Sequence, residues 1–250
     1  MLTHIDFDLI IHMLRHAQSL QNLELIMTDF CHRIGFDQFA MGHHVDLVHP
    51  PNDAVRLTNY HPDWIEQSLE KRFFADDPVH AAFSRFSRPF GWHEISTHIA
   101  LTPCQQHIFD KARSYGLIAG LTIPVRMTGE YEGTCSFAAR DLEKLHPFAI
   151  PMASYGAACA FETARRVMRI TTGRPPRQIP HLTAKQKESL ILVGRGKTDA
   201  EIGDVLGISR TTAHDHVEAG RRAYGNSQRT LAVLRAVYDG VISFADIFRH

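Results

Sequence analysis

Hydroxyl and basic side chains recur through residues 183–229 at spacings that suit contact with nucleic acid. Thr198 and Ser209 each precede a short amphipathic segment. Each is therefore predicted to begin a helix and to offer a hydroxyl and free backbone N–H groups to phosphate oxygens. Gly207–Ile208 alone separates the two predicted helices, which is the tight spacing of a helix-turn-helix motif. The residues predicted to contact DNA are Lys197, Thr198, Ser209, Arg210, Thr211, Thr212, His214, Asp215, Arg221 and Arg222.

The predicted contacts fall into two groups, to base edges and to phosphates, because only the first turns of the second helix of this motif enter the major groove. Side chains on the early turns are placed for base edges, namely Arg210, Thr211, His214 and Asp215. Basic side chains elsewhere are better placed for phosphates, namely Lys197, Arg221, Arg222 and Arg229. A single arginine in such a segment is more often a solvated surface charge, but the combined pattern favours DNA.

Tyr60, Trp64 and Asp77 form a second group, with two hydrogen-bond donors and one acceptor. An apolar pocket with a few converging polar groups can hold a small ligand and select it, since each buried polar group left unpaired costs about 1–3 kcal/mol. From the residues alone, Tyr60 and Trp64 are also explained as core side chains with a satisfied polar tip. Asp77 precedes Pro78 and is also explained as a loop residue that bonds its own backbone.

The region that must position this group, residues 1–170, changes its hydrophobic periodicity several times. Helices are predicted over 5–34, 63–74, 102–116 and 146–170, with Asp63 and Thr102 as N-caps. Strands are predicted over 39–48, 53–57, 117–127 and 132–140, the last two joined by a hairpin turn. This order predicts an α+β fold, in which an α/β/α sandwich has helices on both faces of an antiparallel sheet.

The pattern after this region is helical only. Helices are predicted over 183–194, 198–207, 209–224 and 229–240, which makes an all-α four-helix helix-turn-helix domain. Between the two regions, Gly173 and three prolines disfavour helix. The predicted organisation is a first domain over 1–170, a linker over 171–181 and a second domain over 182–250.

Charge is distributed unevenly between the two regions. The chain has 27 basic and 27 acidic side chains, but residues 1–170 carry 15 and 19 of them, a net charge of −4, and residues 171–250 carry 12 and 8, a net charge of +4. The basic region has the sign needed to meet phosphates. No apolar run reaches the roughly 18 residues that span a bilayer, and the N-terminus lacks a basic leader with a cleavage site. We therefore predict a cytoplasmic protein with no membrane partner.

Composition gives no support for a metal or catalytic site. The four cysteines lie far apart without a CxxC pair, so they are interpreted as small buried residues. The 17 histidines form no HExxH or paired Cys/His spacing, so no metal and no cofactor is predicted. No GxSxG elbow or paired carboxylate arrangement occurs either, and the chain is predicted not to be an enzyme.

The segment LTAKQKESLILVGRGKTDAEIGDVLGISRTTAHDHV strongly resembles the DNA-binding domain of the LuxR family, in which LT, GKT, EI, LxIS, TV and H recur at this spacing. The resemblance covers about the last 70 residues. The sequence departs from the family at Gln186, usually Glu, at Leu192, often Trp, at Ala213, usually Val, and at Gly220, usually bulky and apolar. A glycine inside the second helix costs up to about 1 kcal/mol relative to alanine.

The segment NYHPDWIEQSLEKRFFADDPV resembles the acyl-homoserine-lactone-binding domain of quorum-sensing LuxR regulators, with Trp92 and Gly120 following at matching positions. This resemblance implies that Tyr60 donates to the acyl carbonyl, Trp64 donates to the lactone carbonyl and Asp77 accepts from the amide N–H. It also implies that Trp92 packs against the lactone ring.

The same resemblance implies further contacts around the ligand. Thr134 and Ser136 are secondary polar candidates, and Ile108, Phe109, Ala112 and Leu117 are candidates for the pocket wall. Ser68 stands where the family usually carries Tyr, which implies a reshaped acyl pocket, either larger or refilled by neighbours.

The combined expectation is a ligand-responsive transcription factor that binds an N-acyl homoserine lactone and double-stranded promoter DNA as a homodimer. Dimerisation is expected because one small helix-turn-helix buries too little surface for promoter specificity. An alternative is an unpaired receptor of the same family that senses a non-lactone small molecule or a partner. A lactone hydrolase has no supporting motif.

Overall fold

The computed structural model of the protein describes residues 4–173 and 178–248. The chain divides into two compact units, which we call the N-terminal and the C-terminal unit. The helices of the N-terminal unit are α1 His4–His16, α2 Leu20–Arg33, α3 Pro62–Glu70, α4 Pro78–Phe83, α5 Ile95–His98, α6 Pro103–Arg113 and α7 Ala149–Thr172. Its strands are β1 Gln38–His43, β2 Arg56–Thr58, β3 Phe90–Gly91, β4 Ala119–Val125 and β5 Gly133–Ala139.

The strands form one antiparallel sheet in the order β2-β1-β5-β4-β3. Because successive side chains of a strand point to opposite faces, each strand divides its residues between two layers. Phe39, Met41 and Phe137 point to one face, where they join a buried core with apolar side chains of α1, α2 and α7. Residues of α3 and α6 cover the other face, which is the face that carries Ser136.

The first predicted helix is wrong in one respect, because it is two helices. Ser19 interrupts it, since its hydroxyl accepts from the backbone N–H of Asn22 at 3.1 Å and caps α2. The cap of α3 also differs from the prediction. The imidazole of His61, rather than Asp63, accepts at this end, from the N–H of Asp63 at 3.3 Å. The strand predicted over 39–48 ends at His43.

The C-terminal unit contains α8 Ala184–Gly194, α9 Asp199–Leu206, α10 Arg210–Ala223, α11 Arg229–Tyr238 and α12 Phe244–Phe248. Thr183, Thr198 and Ser209 cap α8, α9 and α10 through their hydroxyls, as predicted. Gly207 ends α9 in the left-handed conformation, with φ 66°, which allows the short turn into α10. The short helix α12 is an addition to the four that were predicted.

The predicted linker lies partly outside the described residues, at 174–177. Its first residues are helical, because α7 continues to Thr172 and ends at Gly173 with φ 63°. The exact domain boundaries stay a prediction.

Candidate functional site

A cavity of about 190 Å³ lies in the N-terminal unit, between the sheet and helices α3 and α6. The ten side chains that were predicted to contact a ligand all line it, together with Ala112. Those ten are Tyr60, Trp64, Ser68, Asp77, Trp92, Ile108, Phe109, Leu117, Thr134 and Ser136. The structure therefore brings together residues that are up to 76 positions apart in the sequence.

Small residues on β1 form the middle of the cavity floor. The strand register aligns Thr58, Ala40, Ser136 and Thr122 in one row across four strands. Two positions further along the strands, on the same face, Gly42 lies opposite Thr134. Because alanine and glycine project little above the sheet, space for a ligand remains between the flanking hydroxyl-bearing side chains.

Tyr60 and Trp64 lie where the chain passes from β2 into α3. The backbone N–H of Tyr60 donates to Thr58 Oγ1 at 3.1 Å. Burial, and then the charge of Asp77, raise the pKa of the Tyr60 hydroxyl, so the phenol stays protonated and able to donate. Trp64 is 8% exposed and packs against Phe73 and Tyr115, with ring centroids 5.8 and 5.5 Å apart. Its indole N–H has no hydrogen-bond partner among the described residues.

Asp77 is the N-cap of α4, immediately before Pro78. One carboxylate oxygen, Oδ1, accepts from the backbone N–H of Val79 at 2.7 Å. Within 4–173 and 178–248, no donor contacts the other oxygen, Oδ2, which leaves it able to accept from a ligand. Asp77 therefore bonds its own loop, and the same carboxylate also lines the cavity.

Trp92 lies flat against the start of β4. A Cβ atom on Gly120 would come within 2.3 Å of the indole ring, so the glycine is required for this approach. The indole N–H of Trp92 donates to Thr122 Oγ1 at 2.9 Å, and Thr122 Oγ1 lies 2.9 Å from Ser136 Oγ. Phe109 packs on the ring with centroids 6.3 Å apart. Thr122 is a site residue that the sequence analysis missed.

A pair of imidazole rings, tilted by 37° to each other, adjoins Thr134. His44 Nε2 lies 3.2 Å from Thr134 Oγ1, and the rings of His44 and His80 have centroids 4.0 Å apart. Burial, with smaller contributions from His80, His43 and Arg126, lowers the pKa of His44 to about 3. His80 itself lines the cavity. Among 17 histidines, residue type alone gave no signal for this pair.

Ser68 lines the cavity one turn beyond Trp64. Its hydroxyl oxygen is buried and has no hydrogen-bond partner in the described part of the chain. Ile65, Phe74 and Leu47 also line the cavity.

The helix-turn-helix hydroxyls are used as caps. Thr198 accepts from the N–H of Glu201 at 3.4 Å and donates to the Glu201 carboxylate at 2.9 Å. That carboxylate also pairs with Lys197 at 3.1 Å, and the pKa of Glu201 falls to about 2, chiefly because the Thr198 backbone N–H donates to it. Ser209 accepts from the N–H of Thr212 at 3.1 Å. Both cap hydroxyls remain exposed.

The exposed face of α10 carries all four side chains that were predicted to contact base edges, namely Arg210, Thr211, His214 and Asp215. Thr212 and Arg222, predicted to contact DNA, are exposed as well. His214 bonds Asp199 at 2.9 Å, and Arg229 pairs with the same carboxylate at 2.8 Å. Burial acts to raise the pKa of Asp199, but the hydrogen bonds from His214 and Arg229 outweigh it, so the pKa is lowered.

Arg221 differs from the expectation of a phosphate-contacting side chain. Its Nε donates to the carbonyl of Ser227 at 2.7 Å, and its Nη1 donates to Glu218 at 2.6 Å. These bonds hold the end of α10 against the following loop. Arg222, the next residue, is exposed. Neighbouring positions on a helix point about 100° apart, which explains why one arginine is internal and the other external.

Apolar side chains form the buried side of the helix pair. Ile202 and Val217 are fully buried, with Leu206 and Ile208 packed against them. Gly220 lies against Leu190, since a Cβ atom there would approach Leu190 to 3.0 Å. The helix runs through Gly220 without a break.

The described residues hold neither a metal-binding cluster nor a membrane-spanning helix. No cluster of three or more His, Cys, Asp or Glu side chains within 4–173 and 178–248 is arranged to hold a metal ion. None of the helices in those ranges is both long and apolar enough to cross a membrane.

An α/β unit with a lined cavity, followed by a helix-turn-helix unit, defines a class of two-part transcriptional regulators. The family model "Autoinducer binding domain" matches residues 19–164. The chain belongs to this family, and it is a LuxR-type transcriptional regulator with an autoinducer-binding domain, as the sequence predicted.

Individual relatives agree with this membership. The chain is 28% identical over 224 residues to y4qH of Sinorhizobium fredii, named as an HTH-type transcriptional regulator, covering 87% of this chain and 67% of that one. It is 25% identical over 244 residues to the transcriptional activator AhyR of Aeromonas hydrophila, covering 94% and 92%. The crystal structure of Escherichia coli SdiA has the same fold, with a TM-score of 0.57, 20% identity and coverage of 94% and 97%. The predicted fold class is confirmed, and the relatives' names agree with the prediction of a regulator rather than an enzyme.

Proposed function

We propose that the chain is a transcription factor that binds an N-acyl homoserine lactone in the cavity of the N-terminal unit and promoter DNA through the C-terminal unit. One observation carries the ligand assignment. Two donors, Tyr60 and Trp64, and one acceptor, Asp77, line a single cavity whose remaining wall is mostly apolar. An acylated amide that also bears a lactone presents two carbonyl acceptors, one N–H donor and an apolar tail, which complements this set.

Within that proposal, each polar group has a defined partner. Asp77 Oδ2 accepts from the amide N–H, while Oδ1 keeps its bond to Val79. The protonated phenol of Tyr60 donates to the acyl carbonyl. The indole N–H of Trp64, which no described residue accepts, donates to the lactone carbonyl. Trp92 packs its ring face against the lactone. These roles come from the family resemblance, and the hydrogen bonds left unmade by the protein support them.

For DNA, the exposed side chains of α10 are proposed to read base edges, and Lys197, Arg222 and the N-terminal ends of α9 and α10 are proposed to bind phosphates. The regulator would then act in the cytoplasm, where promoter DNA lies. A homodimer is proposed because two half-sites supply the specificity that one motif lacks. On α11, Leu231, Leu234 and Tyr238 are 41–52% exposed and offer an apolar stripe for such contact.

Selection from a pool of random duplex DNA, with and without lactone, tests the DNA half of the proposal. Enrichment of a sequence with two related half-sites is expected, with a steep salt dependence. Failure to enrich any sequence under either condition would contradict it. A matched selection with Arg222→Ala should recover the same sequence at lower salt.

A second candidate ligand is favoured by one observation: the buried hydroxyl of Ser68 has no hydrogen-bond partner among the residues that the structure describes. A small molecule other than a lactone, with a polar group near this hydroxyl, would satisfy it. Binding of a non-lactone metabolite that is lost in Asp77→Asn, together with no response to any lactone, would select this candidate.

A further inference from the structure

We propose that Thr122 is a positioning residue, which directs the hydroxyl proton of Ser136 into the cavity so that Ser136 donates to a ligand carbonyl. The inference rests on the proposed function, because it assigns a role within that ligand site. Thr122 itself does not line the cavity, whereas Ser136 does.

The three groups form a short chain of hydrogen bonds across the sheet. Trp92 Nε1, Thr122 Oγ1 and Ser136 Oγ follow one another at 2.9 and 2.9 Å. Thr122 is fully buried at 0% exposure, and Ser136 is 7% exposed. The register Thr122↔Ser136 places the two hydroxyls side by side on neighbouring strands. Both hydroxyls are therefore largely shielded from bulk water.

The number of protons fixes the direction of this chain. An indole N–H can only donate, so Thr122 Oγ1 must accept from Trp92. The proton of Thr122 then needs an acceptor, and Ser136 Oγ is the one within reach among the described residues. If Ser136 donated instead, the buried Thr122 proton would be left unpaired, at a cost of about 1–3 kcal/mol. The satisfied arrangement leaves the Ser136 proton free, and the cavity lies beside it.

Packing holds Trp92, the first donor in this series of hydrogen bonds, rigidly in place. Trp92 lies flat on Gly120, where even a Cβ atom would clash, so its ring plane and its N–H direction are set by the sheet. This geometry has a further consequence, because the N–H of Trp92 is committed to Thr122. Trp64 is then the indole that can donate to a ligand, and Trp92 contributes its ring face.

The functional value of the arrangement is orientation before binding. A free serine hydroxyl rotates among three staggered positions and can lose its bond to a competing acceptor. Here the Ser136 hydroxyl already has one orientation, so it loses no further rotational freedom when it donates to a ligand carbonyl. Thr122 thereby raises affinity without touching the ligand.

A double-mutant cycle on the full chain tests the inference, with titration calorimetry against straight-chain lactones from butanoyl to dodecanoyl. Thr122→Val and Ser136→Ala should each weaken binding of the best lactone about tenfold. The double variant should lose about tenfold as well, rather than a hundredfold, because the two side chains act through one donor. Thr122→Ser, which keeps the hydroxyl, should restore binding. Thr163→Val, at a buried threonine of α7, should bind like the unchanged chain.

Nuclear magnetic resonance supplies a readout that loss of packing alone does not move. The chain has two tryptophans, so two indole N–H signals are expected in a ¹⁵N-labelled sample. The Trp92 signal should exchange slowly with water, and Thr122→Val should shift it, whereas Thr122→Ser and Thr163→Val should not. This inference is wrong if the unchanged chain binds lactone but the double variant loses about a hundredfold in affinity, the product of the two single losses. It is also wrong if Thr122→Val binds lactone normally. If the unchanged chain binds no lactone, the proposed function fails and this role fails with it.

Discussion

Asp77→Asn isolates the ligand-binding role of the carboxylate from its role as a helix cap. In the structure Oδ1 accepts from the N–H of Val79 at 2.7 Å and Oδ2 has no donor among the described residues. Asparagine is as good an N-cap as aspartate, and the bond to Val79 must be made by its oxygen. The amide nitrogen is thereby forced into the place of Oδ2, where a donor would face the N–H donor of the ligand.

The expected loss follows from that geometry. A hydrogen bond to a charged group contributes about 1.5–3 kcal/mol, which corresponds to a fall in affinity of roughly 10- to 150-fold. The free energy of unfolding without ligand should change by less than about 0.5 kcal/mol, because the cap is kept. Asp77→Ala is the matched variant, since it loses both the acceptor and the cap and should also be destabilised, by about 1 kcal/mol.

Titration calorimetry with the best-binding lactone measures the first effect, and urea unfolding of the ligand-free protein measures the second. The reasoning is refuted if Asp77→Asn binds lactone as tightly as the unchanged chain. It is also refuted if the loss of affinity is matched by an equal loss of stability, because the residue would then act through the fold.

Three further predictions concern DNA contact, the acyl pocket and pH. Arg222→Ala should weaken DNA binding across sequences and lower the slope of affinity against salt concentration by about one unit. Arg221→Ala should mainly lower the free energy of unfolding, by about 1–2 kcal/mol, because it removes two internal bonds. Electrophoretic shifts over a salt series and urea unfolding separate the two variants, and equal salt slopes would contradict the distinction. Ser68→Tyr should fill the cavity wall and weaken binding of dodecanoyl lactone about tenfold more than binding of butanoyl lactone, since overpacking costs about 1–3 kcal/mol. Equal losses of affinity in calorimetry would place Ser68 away from the acyl tail. Burial lowers the pKa of His43 from 6.5 to about 4 and that of His44 to about 3. Below pH 6.5 the unfolded chain therefore binds more protons than the folded chain. The free energy of unfolding should decrease as the pH is lowered, by at most about 1.4 kcal/mol per pH unit for each histidine. Urea unfolding between pH 7 and pH 4 measures this slope, and an unchanged slope in His44→Asn would show that His44 does not contribute.

Local signals explain why much of the fold was predictable. Thr102, Thr183, Thr198 and Ser209 each cap a helix where a hydroxyl precedes an amphipathic run, because capping depends on the next three residues only. The break between α1 and α2 was missed because the same apolar spacing continues across it, although Ser19 is itself a capping residue. The short elements α4, α5 and β3 contain too few residues to show a period.

The candidate site was predictable only where residue types stand at a recognisable spacing. Tyr60, Trp64, Asp77 and Trp92 were found through their resemblance to a known pattern. Thr122 was not, because its importance depends on which residue lies opposite on the neighbouring strand, and cross-strand register is not written in local sequence.

Arg221 shows the same limit on the DNA side. Its type and position suit a phosphate contact, but Glu218 lies one turn earlier and captures its guanidinium at 2.6 Å. An acidic residue three positions away on a helix competes with any external partner. Arg221 is therefore a structural arginine and Arg222 an external one, and this difference depends on the direction of each side chain.

The central claim is that the cavity of the N-terminal unit holds an acylated homoserine lactone. Titration of the purified full chain with lactones from butanoyl to dodecanoyl tests this claim most directly. We predict saturable binding of one ligand per chain for at least one acyl length, with loss of affinity when the lactone ring is opened. Absence of binding for every acyl length, with no rise in the unfolding temperature at a hundredfold excess of ligand, would contradict the claim.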